Sequence, residues 1–515
     1  MRRIRRFGSL AVAVLATAAM GVVAAPGAAA APAVTDGCVR SVPDPGGTEP
    51  VSICYTLFKP AGASAGRPVP MILHGHGWGG SRSTDPAAFA DLLGAGFGVL
   101  SFDQRAFGES GGKAYLMRPD VEGKDVQRLV DLVARQSWVA TDAPGDPVLG
   151  AIGGSYGGGY QFVGAFSELA ERGKTRFDAL APEITWHSLS ESLAPQGVAR
   201  TEWALLLYIA GLPADAHTST VTLGLAESAV TGNFPPSLEE FVARNGPAWH
   251  VSHGRKLDIP VLMRQGITDN LFPLDQALKN FRTALTPRAR ARSVLIGYNG
   301  GHELPSVLPP GTNDALASFG SPAVEPDPCS QRLGGTFAQL TVKFFTAELL
   351  GRQVPVPGRG KYHLATAGGR CQTVATTAAN TTVQLGKAAN LLGAGAPLSI
   401  PIKPGPLTVA GTPTLDAKVT SLALDGRMFL ALSVGSSPLD AKIVQNNMLP
   451  LREPGIVVGK PRRGVELPSV AVDVPAGKTL YLTVSPLSDM SFGHGSRVPG
   501  AMLLEDVRVH LPLVH

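Results

Sequence analysis

The chain has 515 residues, of which 44% are apolar, 17% charged and 6% aromatic. This length predicts about two or three domains, and the apolar fraction suffices for a large core, which excludes a disordered or fibrous chain. Of the 45 basic side chains, four lie among the first six residues, and the remainder nearly balance the 40 acidic ones. The sequence therefore offers no bulk charge for binding a nucleic acid.

The first 33 residues have the pattern of a cleavable export signal. Four arginines precede an apolar run from Leu10 to Ala25, and small residues up to Ala33 follow it. A membrane anchor is the alternative, but the run of about 16 residues is shorter than the roughly 20 that a helix needs to cross a bilayer. We therefore expect a signal peptide at 1–33, no stable membrane span and a secreted, extracellular protein. The Arg5-Arg6 pair leaves a twin-arginine route open beside the general one.

Four cysteines agree with export into an oxidising compartment. Cys38 and Cys54 flank a turn-rich stretch at 43–47 that predicts the tip of a hairpin, and Cys329 and Cys371 follow far downstream. Four cysteines allow three pairings, and free buried thiols are the alternative. We predict the disulfides Cys38–Cys54 and Cys329–Cys371, which join neighbours in the sequence. None of the four has the spacing of metal ligands.

Strands and helices alternate up to about residue 352, which predicts an α/β fold with a mostly parallel sheet covered on both faces. Residues 188–256 break the alternation with helical patterns, and we expect them to cap the carboxyl edge of the sheet. From residue 354, short alternating runs separated by turn residues are typical of an all-β sandwich. We thus predict a catalytic domain at 34–353 and a β domain at 354–515. The main elements of the first domain are predicted at 69–74, 98–103, 121–135, 148–153, 158–172, 259–265, 293–298 and 337–350.

A serine nucleophile is predicted at Ser155. It lies in Gly153-Gly154-Ser155-Tyr156-Gly157, which matches G-x-S-x-G between an apolar strand and a helix. A serine on such a sharp turn is held exposed at the edge of the sheet, and small neighbours are needed because the turn is crowded. A plain glycine-rich turn and a phosphate-binding loop are the alternatives. The stretch has neither the G-x-x-x-x-G-K-[ST] nor the G-x-G-x-x-G spacing of phosphate-binding loops.

A serine hydroxyl needs a base, and the base needs an orienting carboxylate. In this fold the chain order is serine, then acid, then histidine. Asp269 follows the strand at 259–265 and His302 follows the strand at 293–298, so both lie at the same sheet edge as Ser155. A helix cap and a loop histidine are the alternatives for the two residues taken singly. Asp103 also ends a strand, and we interpret it as a structural carboxylate.

The oxyanion of a tetrahedral intermediate needs hydrogen-bond donors. We predict the backbone N–H of Tyr156, directly after the nucleophile, and that of His76, in the loop after the strand at 69–74. Trp78 is an alternative second donor. The pair His74 and His76 has H-x-H spacing, but Trp-Gly-Gly follows where dinuclear metal hydrolases have Asp and His, so no metal site is predicted.

Together these residues resemble the α/β-hydrolase superfamily. The segment 102–112, Phe-Asp-Gln-Arg-Ala-Phe-Gly-Glu-Ser-Gly-Gly, is similar to a stretch of the Xaa-Pro dipeptidyl-peptidase and cocaine-esterase group, and 409–413, 429–432 and 475–489 resemble that group's C-terminal jelly-roll domain. The resemblance implies an α/β-hydrolase domain with a jelly-roll domain, and it supports the triad. Members of that group often have a Pro-Tyr pair in the oxyanion loop, whereas this chain has His74-Gly75-His76, as esterases and lipases do.

The sequence therefore predicts a secreted serine hydrolase that cleaves small-molecule or polymeric carboxylic esters through an acyl-enzyme, without a cofactor. Inward residues of the apolar cap segment 203–209 are expected to line an acyl pocket, and packing of the cap onto the sheet is the alternative. An Xaa-Pro dipeptidyl-peptidase-like activity is the second interpretation. A non-catalytic protein that binds a surface or a polymer through its β domain is the third.

Overall fold

The computed structural model describes residues 31–304, 327–392, 395–488, 490–491, 496 and 499–514. The predicted export signal lies outside the described residues, apart from its last three positions. The chain from Pro32 onward forms one compact unit. In the described ranges, no helix has both the length and the apolar character that a membrane crossing requires.

A ten-stranded sheet forms the centre of the molecule, in the order β1-β2-β4-β3-β5-β6-β7-β8-β9-β10. Strands β3 to β9 all run parallel to one another. Strand β2 pairs antiparallel with β4 on one side and with the edge strand β1 on the other, and β10, at the opposite edge, pairs antiparallel with β9. The parallel strands end at one edge of the sheet, where their connecting loops meet. The strands are β1 Ala33–Ser41, β2 Val51–Lys59, β3 Met71–Gly75, β4 Gly98–Phe102, β5 Leu149–Gly154, β6 Ala179–Glu183, β7 Leu262–Gly266, β8 Val294–Tyr298, β9 Tyr362–Ala365 and β10 Cys371–Val374.

Helices cover both faces of this sheet, as the alternating sequence predicts. Successive strand residues point to opposite faces, so Leu73 contributes to one core and Ile72 to the other. The first core packs against α2 (Glu122–Ala134) and α3 (Tyr156–Arg172), and the second against α1 (Ala90–Ala95) and the helix Phe337–Leu349. Shorter helices at Leu274–Lys279, Pro287–Arg292 and Pro328–Arg332, with a π-helical turn at Asn280–Ala284, complete these layers.

Both predicted disulfides are present. Cys38 and Cys54 are directly opposite each other in the antiparallel hairpin β1–β2. Cys329, in the helix Pro328–Arg332, is bonded to Cys371 at the start of β10. Strands β9 and β10 follow the predicted domain boundary at 354 and pair with the central sheet, so this second disulfide joins two parts of the α/β layers.

Residues 188–256 are helical and lie over the carboxyl edge of the sheet. Their longest helix, Ser219–Thr231, begins at the N-cap Thr218, whose hydroxyl accepts a hydrogen bond from the Val221 N–H, and ends at Gly232 in the left-handed conformation. We call this segment the cap. Its α-helices are Leu189–Leu193, Thr201–Gly211, Ser219–Thr231, Pro236–Val242 and Pro247–Ser252.

The C-terminal strands form antiparallel sheets that enclose a separate apolar core. This is the all-β sandwich that the alternating runs predict. Its strands are Thr381–Gln384, Ala388–Leu392, Leu398–Pro404, Leu407–Gly411, Thr414–Ser421, Gly426–Gly435, Lys442–Ile443, Leu449–Glu453, Val457–Glu466, Val470–Val474, Thr479–Ser485, Gly500–Leu511 and Leu513–Val514.

The sandwich packs against the cap and the sheet-edge loops. The buried Arg427 guanidinium donates hydrogen bonds to the carbonyl oxygens of Thr231 and Gly232, at the C-terminal end of a cap helix. A cation at that end is favourable because the last carbonyl groups of a helix carry partial negative charge. Val198 of the cap also joins a small apolar cluster with Phe429 and Met448 of the sandwich.

Candidate active site

Ser155 stands between β5 and α3, on the sharp turn that G-x-S-x-G predicts. Its backbone has φ 57° and ψ −121°, a combination that L-residues rarely adopt, and its N–H donates a 3.0 Å hydrogen bond to the Glu183 carbonyl oxygen. Backbone strain of this kind persists only where the surrounding structure holds it, and it commonly marks functional sites. The turn presents the Ser155 hydroxyl at the carboxyl edge of the sheet.

The glycines of the motif are required by the approach of a neighbouring strand. A Cβ atom added at either Gly153 or Gly157 would collide with the carbonyl oxygen of Gly75, at the end of β3. Gly153 also has φ 143°, in the region that favours glycine. The turn that carries Ser155 is therefore pressed against the end of β3, where the loop with His76 begins.

The three predicted triad residues meet at this edge. His302 Nε2 lies 2.8 Å from Ser155 Oγ, and His302 Nδ1 lies 2.8 Å from Asp269 Oδ2. Because the carboxylate can only accept, Nδ1 carries the imidazole proton and Nε2 accepts the hydroxyl proton of Ser155. This is the hydrogen-bonded chain of nucleophile, base and orienting acid that activates a serine.

Asp269 is fully buried, and its second oxygen is also occupied. Oδ1 accepts hydrogen bonds from the N–H groups of Leu271 (3.0 Å) and Phe272 (2.7 Å). A Cβ atom added at Gly301 would lie 2.6 Å from the Asp269 side chain, so a glycine there lets the histidine loop approach the acid closely. These contacts fix the direction in which Oδ2 faces His302.

Asn270, next to the acid, joins three loops. Its N–H donates to the His302 carbonyl oxygen at 3.0 Å, and its side-chain oxygen accepts a 2.8 Å hydrogen bond from the Trp203 indole. The Arg200 guanidinium donates to the Asn270 carbonyl oxygen. Arg200 and Trp203 thereby connect the cap to the loops that carry Asp269 and His302.

The predicted oxyanion loop passes beside the nucleophile. A Cβ atom added at Gly77 would lie 3.9 Å from Ser155 Cβ. Both nitrogen atoms of the His76 ring have hydrogen-bond partners in the protein. Nε2 accepts a 3.0 Å hydrogen bond from the Gln104 N–H, and Nδ1 therefore donates to the Gly77 carbonyl oxygen at 2.7 Å. Burial lowers the pKa of His76 and that of His74, the latter to about 4, so both rings are neutral near pH 7.

Asp103 lies at the end of the neighbouring strand without reaching the triad. The buried carboxylate accepts hydrogen bonds from the N–H groups of Arg82 (2.6 Å) and Glu109 (2.9 Å) and forms an ion pair with the Arg82 guanidinium. This is the structural role expected from the sequence.

An apolar cavity of about 110 Å³ opens on Ser155 beneath the cap. Among the lining residues that the structure describes, none carries an Asp, Glu, Lys or Arg side chain. Residues on the sheet side include Trp78, Tyr156, Trp186, Leu271 and Phe272. Residues from the cap include Leu193, Leu207, Tyr208, Val221, Leu225 and Leu238.

The expected contribution of segment 203–209 is found in part. Leu207 and Tyr208 line the cavity, and the Trp203 ring packs edge-on against His302 at 6.0 Å between centroids. In contrast, Leu205, Leu206 and Ile209 are exposed. The side chain of Trp78, the residue whose backbone N–H is the alternative oxyanion donor, lines the cavity, and its indole N–H donates to the Leu207 carbonyl oxygen at 2.7 Å.

Comparisons with known proteins relate this chain to a family of hydrolases and to structures of similar fold. Residues 49–302 match the sequence profile of the X-Pro dipeptidyl-peptidase family, S15, and this stretch contains all three triad residues. The chain has the α/β-hydrolase fold, and this hydrolase resembles the Xaa-Pro dipeptidyl-peptidase and cocaine-esterase group.

Solved structures of similar fold include both ester- and peptide-cleaving enzymes by name. A CocE/NonD family hydrolase from Staphylococcus aureus is 12% identical, with 93% of this chain and 94% of that one covered and a TM-score of 0.63. An α-amino acid ester hydrolase is 12% identical, covering 96% and 99%, with a TM-score of 0.61. An aminopeptidase from a marine-sediment Thaumarchaeota archaeon is 13% identical, covering 94% and 96%, also at 0.61. At these identities the likeness concerns the fold.

A short stretch also matches an Escherichia coli protein, an uncharacterized 31.7 kDa protein in the traX-finO intergenic region. The two are 31% identical over 97 residues, which is 19% of this hydrolase. The hydrolase thus spans about a third, 32%, of the length of that curated relative.

Two contributions to the site are absent from the sequence interpretation. Trp186 lies just past the end of β6, a strand whose short sequence contains Pro182 and which no pattern predicts. If the sequence had predicted β6, Trp186 would have been expected at the same sheet edge as the triad. Ser228 lines the cavity from a cap helix, and no signal in the sequence separates it from other helical serines.

Proposed function

We propose that this hydrolase cleaves carboxylic esters with apolar acyl groups, using Ser155, His302 and Asp269. Ser155 Oγ attacks the acyl carbonyl carbon while His302 Nε2 takes the hydroxyl proton. The alcohol then leaves with that proton, and the acyl group remains bonded to Ser155. Water, deprotonated by His302, attacks the acyl-enzyme, releases the acid and restores the serine. Asp269 stabilises the imidazolium that forms in both halves of the reaction.

In this proposal the N–H groups of Tyr156 and His76 hold the oxyanion. Tyr156 begins the helix directly after the nucleophile, where N–H groups have no partner within the helix. The segment after His76 passes beside Ser155, and the neutral His76 ring holds this loop to the Gln104 N–H. No step of this chemistry calls for a cofactor.

The uncharged lining of the cavity is the observation that favours an apolar ester as the substrate. A dipeptidyl-peptidase must hold a free α-ammonium group close to the scissile bond, and an ammonium buried without a carboxylate partner is strongly disfavoured. The described lining residues offer no such carboxylate, whereas their apolar side chains suit an acyl chain. We also propose that the protein acts outside the cell, because residues 1–33 have the export pattern and disulfides persist in oxidising compartments.

The family match supports a second candidate, an Xaa-Pro dipeptidyl-peptidase. The two are separated by kcat/KM for p-nitrophenyl acyl esters against Xaa-Pro-p-nitroanilides. Activated esters are easy substrates, so ester cleavage alone decides nothing. We expect long-chain esters to be preferred to the acetate and the anilides to be poor substrates. Anilide cleavage approaching the ester rate would make the protein a peptidase. A fluorophosphonate probe that failed to label Ser155 would support a non-catalytic binding protein.

A further inference from the structure

Ser228 is an unusual residue in the wall of the apolar cavity. It lies on the cap helix Ser219–Thr231 and lines the same cavity as Ser155. The residue is only 2% exposed, and within the described part of the protein its Oγ has no hydrogen-bond partner. A buried hydroxyl without a partner costs free energy, so most such groups are satisfied by the protein, by water or by a ligand.

Other hydroxyls of the same helix are satisfied within it. Thr222 Oγ1 donates to the Thr218 carbonyl oxygen at 3.3 Å, and Thr231 Oγ1 donates to the Glu227 carbonyl oxygen at 2.9 Å. Both are bonds to the carbonyl group four residues earlier, the usual solution for a hydroxyl inside a helix. Ser228 does not make this bond, although the residue forms part of the cavity wall.

We propose that the acyl group of the substrate carries one oxygen function beyond the scissile ester, a ketone or a second ester carbonyl, which accepts a hydrogen bond from Ser228 Oγ. This inference rests on the proposed function. The rest of the described lining is mainly apolar and holds no charged side chain, so the body of the acyl group is apolar. A carbonyl oxygen satisfies the hydroxyl without bringing a charge into the cavity, whose burial would be costly.

The experiment compares p-nitrophenyl alkanoates with their monoketo analogues, in which the carbonyl group is moved stepwise along the chain. Wild-type protein should prefer one keto position over the plain chain of equal length by roughly tenfold in kcat/KM, the effect of one neutral hydrogen bond. Ser228→Ala should abolish this preference. Thr222→Ala, on the exposed side of the same helix, should retain it and serves as the matched control. If no keto position is preferred, or if Ser228→Ala keeps the preference, the inference is wrong.

Two further measurements separate this inference from the proposed function. p-Nitrophenyl acetate has no second oxygen, so its hydrolysis by wild type tests the triad without any contribution from Ser228. A wild type that fails on acetate and is not labelled by a fluorophosphonate contradicts the proposed function itself. Since alanine favours helices and Ser228 makes no described side-chain bond, the Tm of Ser228→Ala should equal or exceed that of wild type. A clear decrease in Tm would show that the hydroxyl is already satisfied in the free protein and would overturn the inference.

Discussion

The loops at the carboxyl edge of the sheet and the cap above them are held in different ways. Asp269 is fixed by two backbone N–H groups and by His302, and the turn at Ser155 is locked by close backbone contacts. The cap meets these loops through hydrogen bonds such as those from Arg200 and Trp203 to Asn270, and its wall of the cavity is built from apolar side chains. Hydrogen bonds prescribe direction, whereas apolar contacts tolerate changes of shape. We therefore expect the sheet edge to set the reaction geometry and, in the proposed esterase, the cap to set the acyl selectivity.

Several apolar side chains of the cap are exposed to solvent. Leu206 is 43% exposed and Val230 76% exposed, although each lies on a helix that lines the cavity elsewhere. We expect the cap helices to accept different side chains without a change in the triad geometry. Substitutions at the sheet edge should therefore lower activity strongly, and substitutions in the cap should lower it less.

The largest effect is expected from the triad itself. Ser155→Ala removes the nucleophile and His302→Ala removes the base, so each should lower kcat on an ester by about 10⁴-fold or more. The far-ultraviolet circular dichroism and the Tm should stay close to wild type, since neither side chain is part of a core. Ser252→Ala and His253→Ala, at exposed positions of the cap, are the matched controls and should keep full activity. Near-normal turnover by Ser155→Ala would contradict the mechanism.

An intermediate effect is expected where the β sandwich supports the sheet edge. Gln445 is buried, and its side chain donates to Asn299 Oδ1 (2.9 Å), at the start of the loop with His302, and accepts from the Ala471 N–H (2.8 Å) of the sandwich. Asn447 of the same segment donates to the Asp269 carbonyl oxygen at 3.4 Å. The sandwich therefore contacts both triad loops.

Gln445→Ala should shift the histidine loop and leave buried polar groups unpaired. We expect kcat to fall by roughly 10- to 100-fold, because small misplacements of catalytic groups are costly, while KM changes little and the Tm falls by several degrees. Gln384→Ala, at an exposed glutamine of the sandwich, is the control. A variant with lower Tm but unchanged kcat would show that Gln445 stabilises the interface without positioning His302.

The same contrast explains which features the sequence could predict. Each triad residue follows a strand, and in a parallel sheet all strand ends of one direction meet at one edge, so Ser155, Asp269 and His302 are brought together by local patterns and chain order. Strand β6 escaped prediction because Pro182 and its small neighbours do not resemble a strand, yet parallel pairing with β5 holds it in the sheet. Its position between β5 and β7 is a tertiary effect.

The lining of the cavity was predictable only in outline. The helix Thr201–Gly211 has apolar residues on all sides, so its sequence does not say which of them face inward. Packing against neighbouring helices and Trp78 turns Leu207 and Tyr208 toward the cavity and leaves Leu205 and Leu206 at the surface. The orphaned hydroxyl of Ser228 likewise depends on helix packing, which no local pattern encodes.

The smallest effect is expected from a pair of adjacent leucines in the cap. Leu207 lines the cavity, whereas Leu206 is exposed, although the two differ by one position on the same helix. Leu207→Ala removes apolar contact with a long acyl chain and should lower kcat/KM for p-nitrophenyl octanoate by about three- to tenfold. The acetate, which is too short to reach the wall, should be unaffected. Leu206→Ala should change neither value, because its side chain faces water. Chain-length profiles of wild type and both variants provide the measurement. If Leu207→Ala lowered kcat for acetate as much as for octanoate, the cap would act on the triad geometry, and the separation between a sheet edge that sets the reaction and a cap that selects the acyl group would not hold.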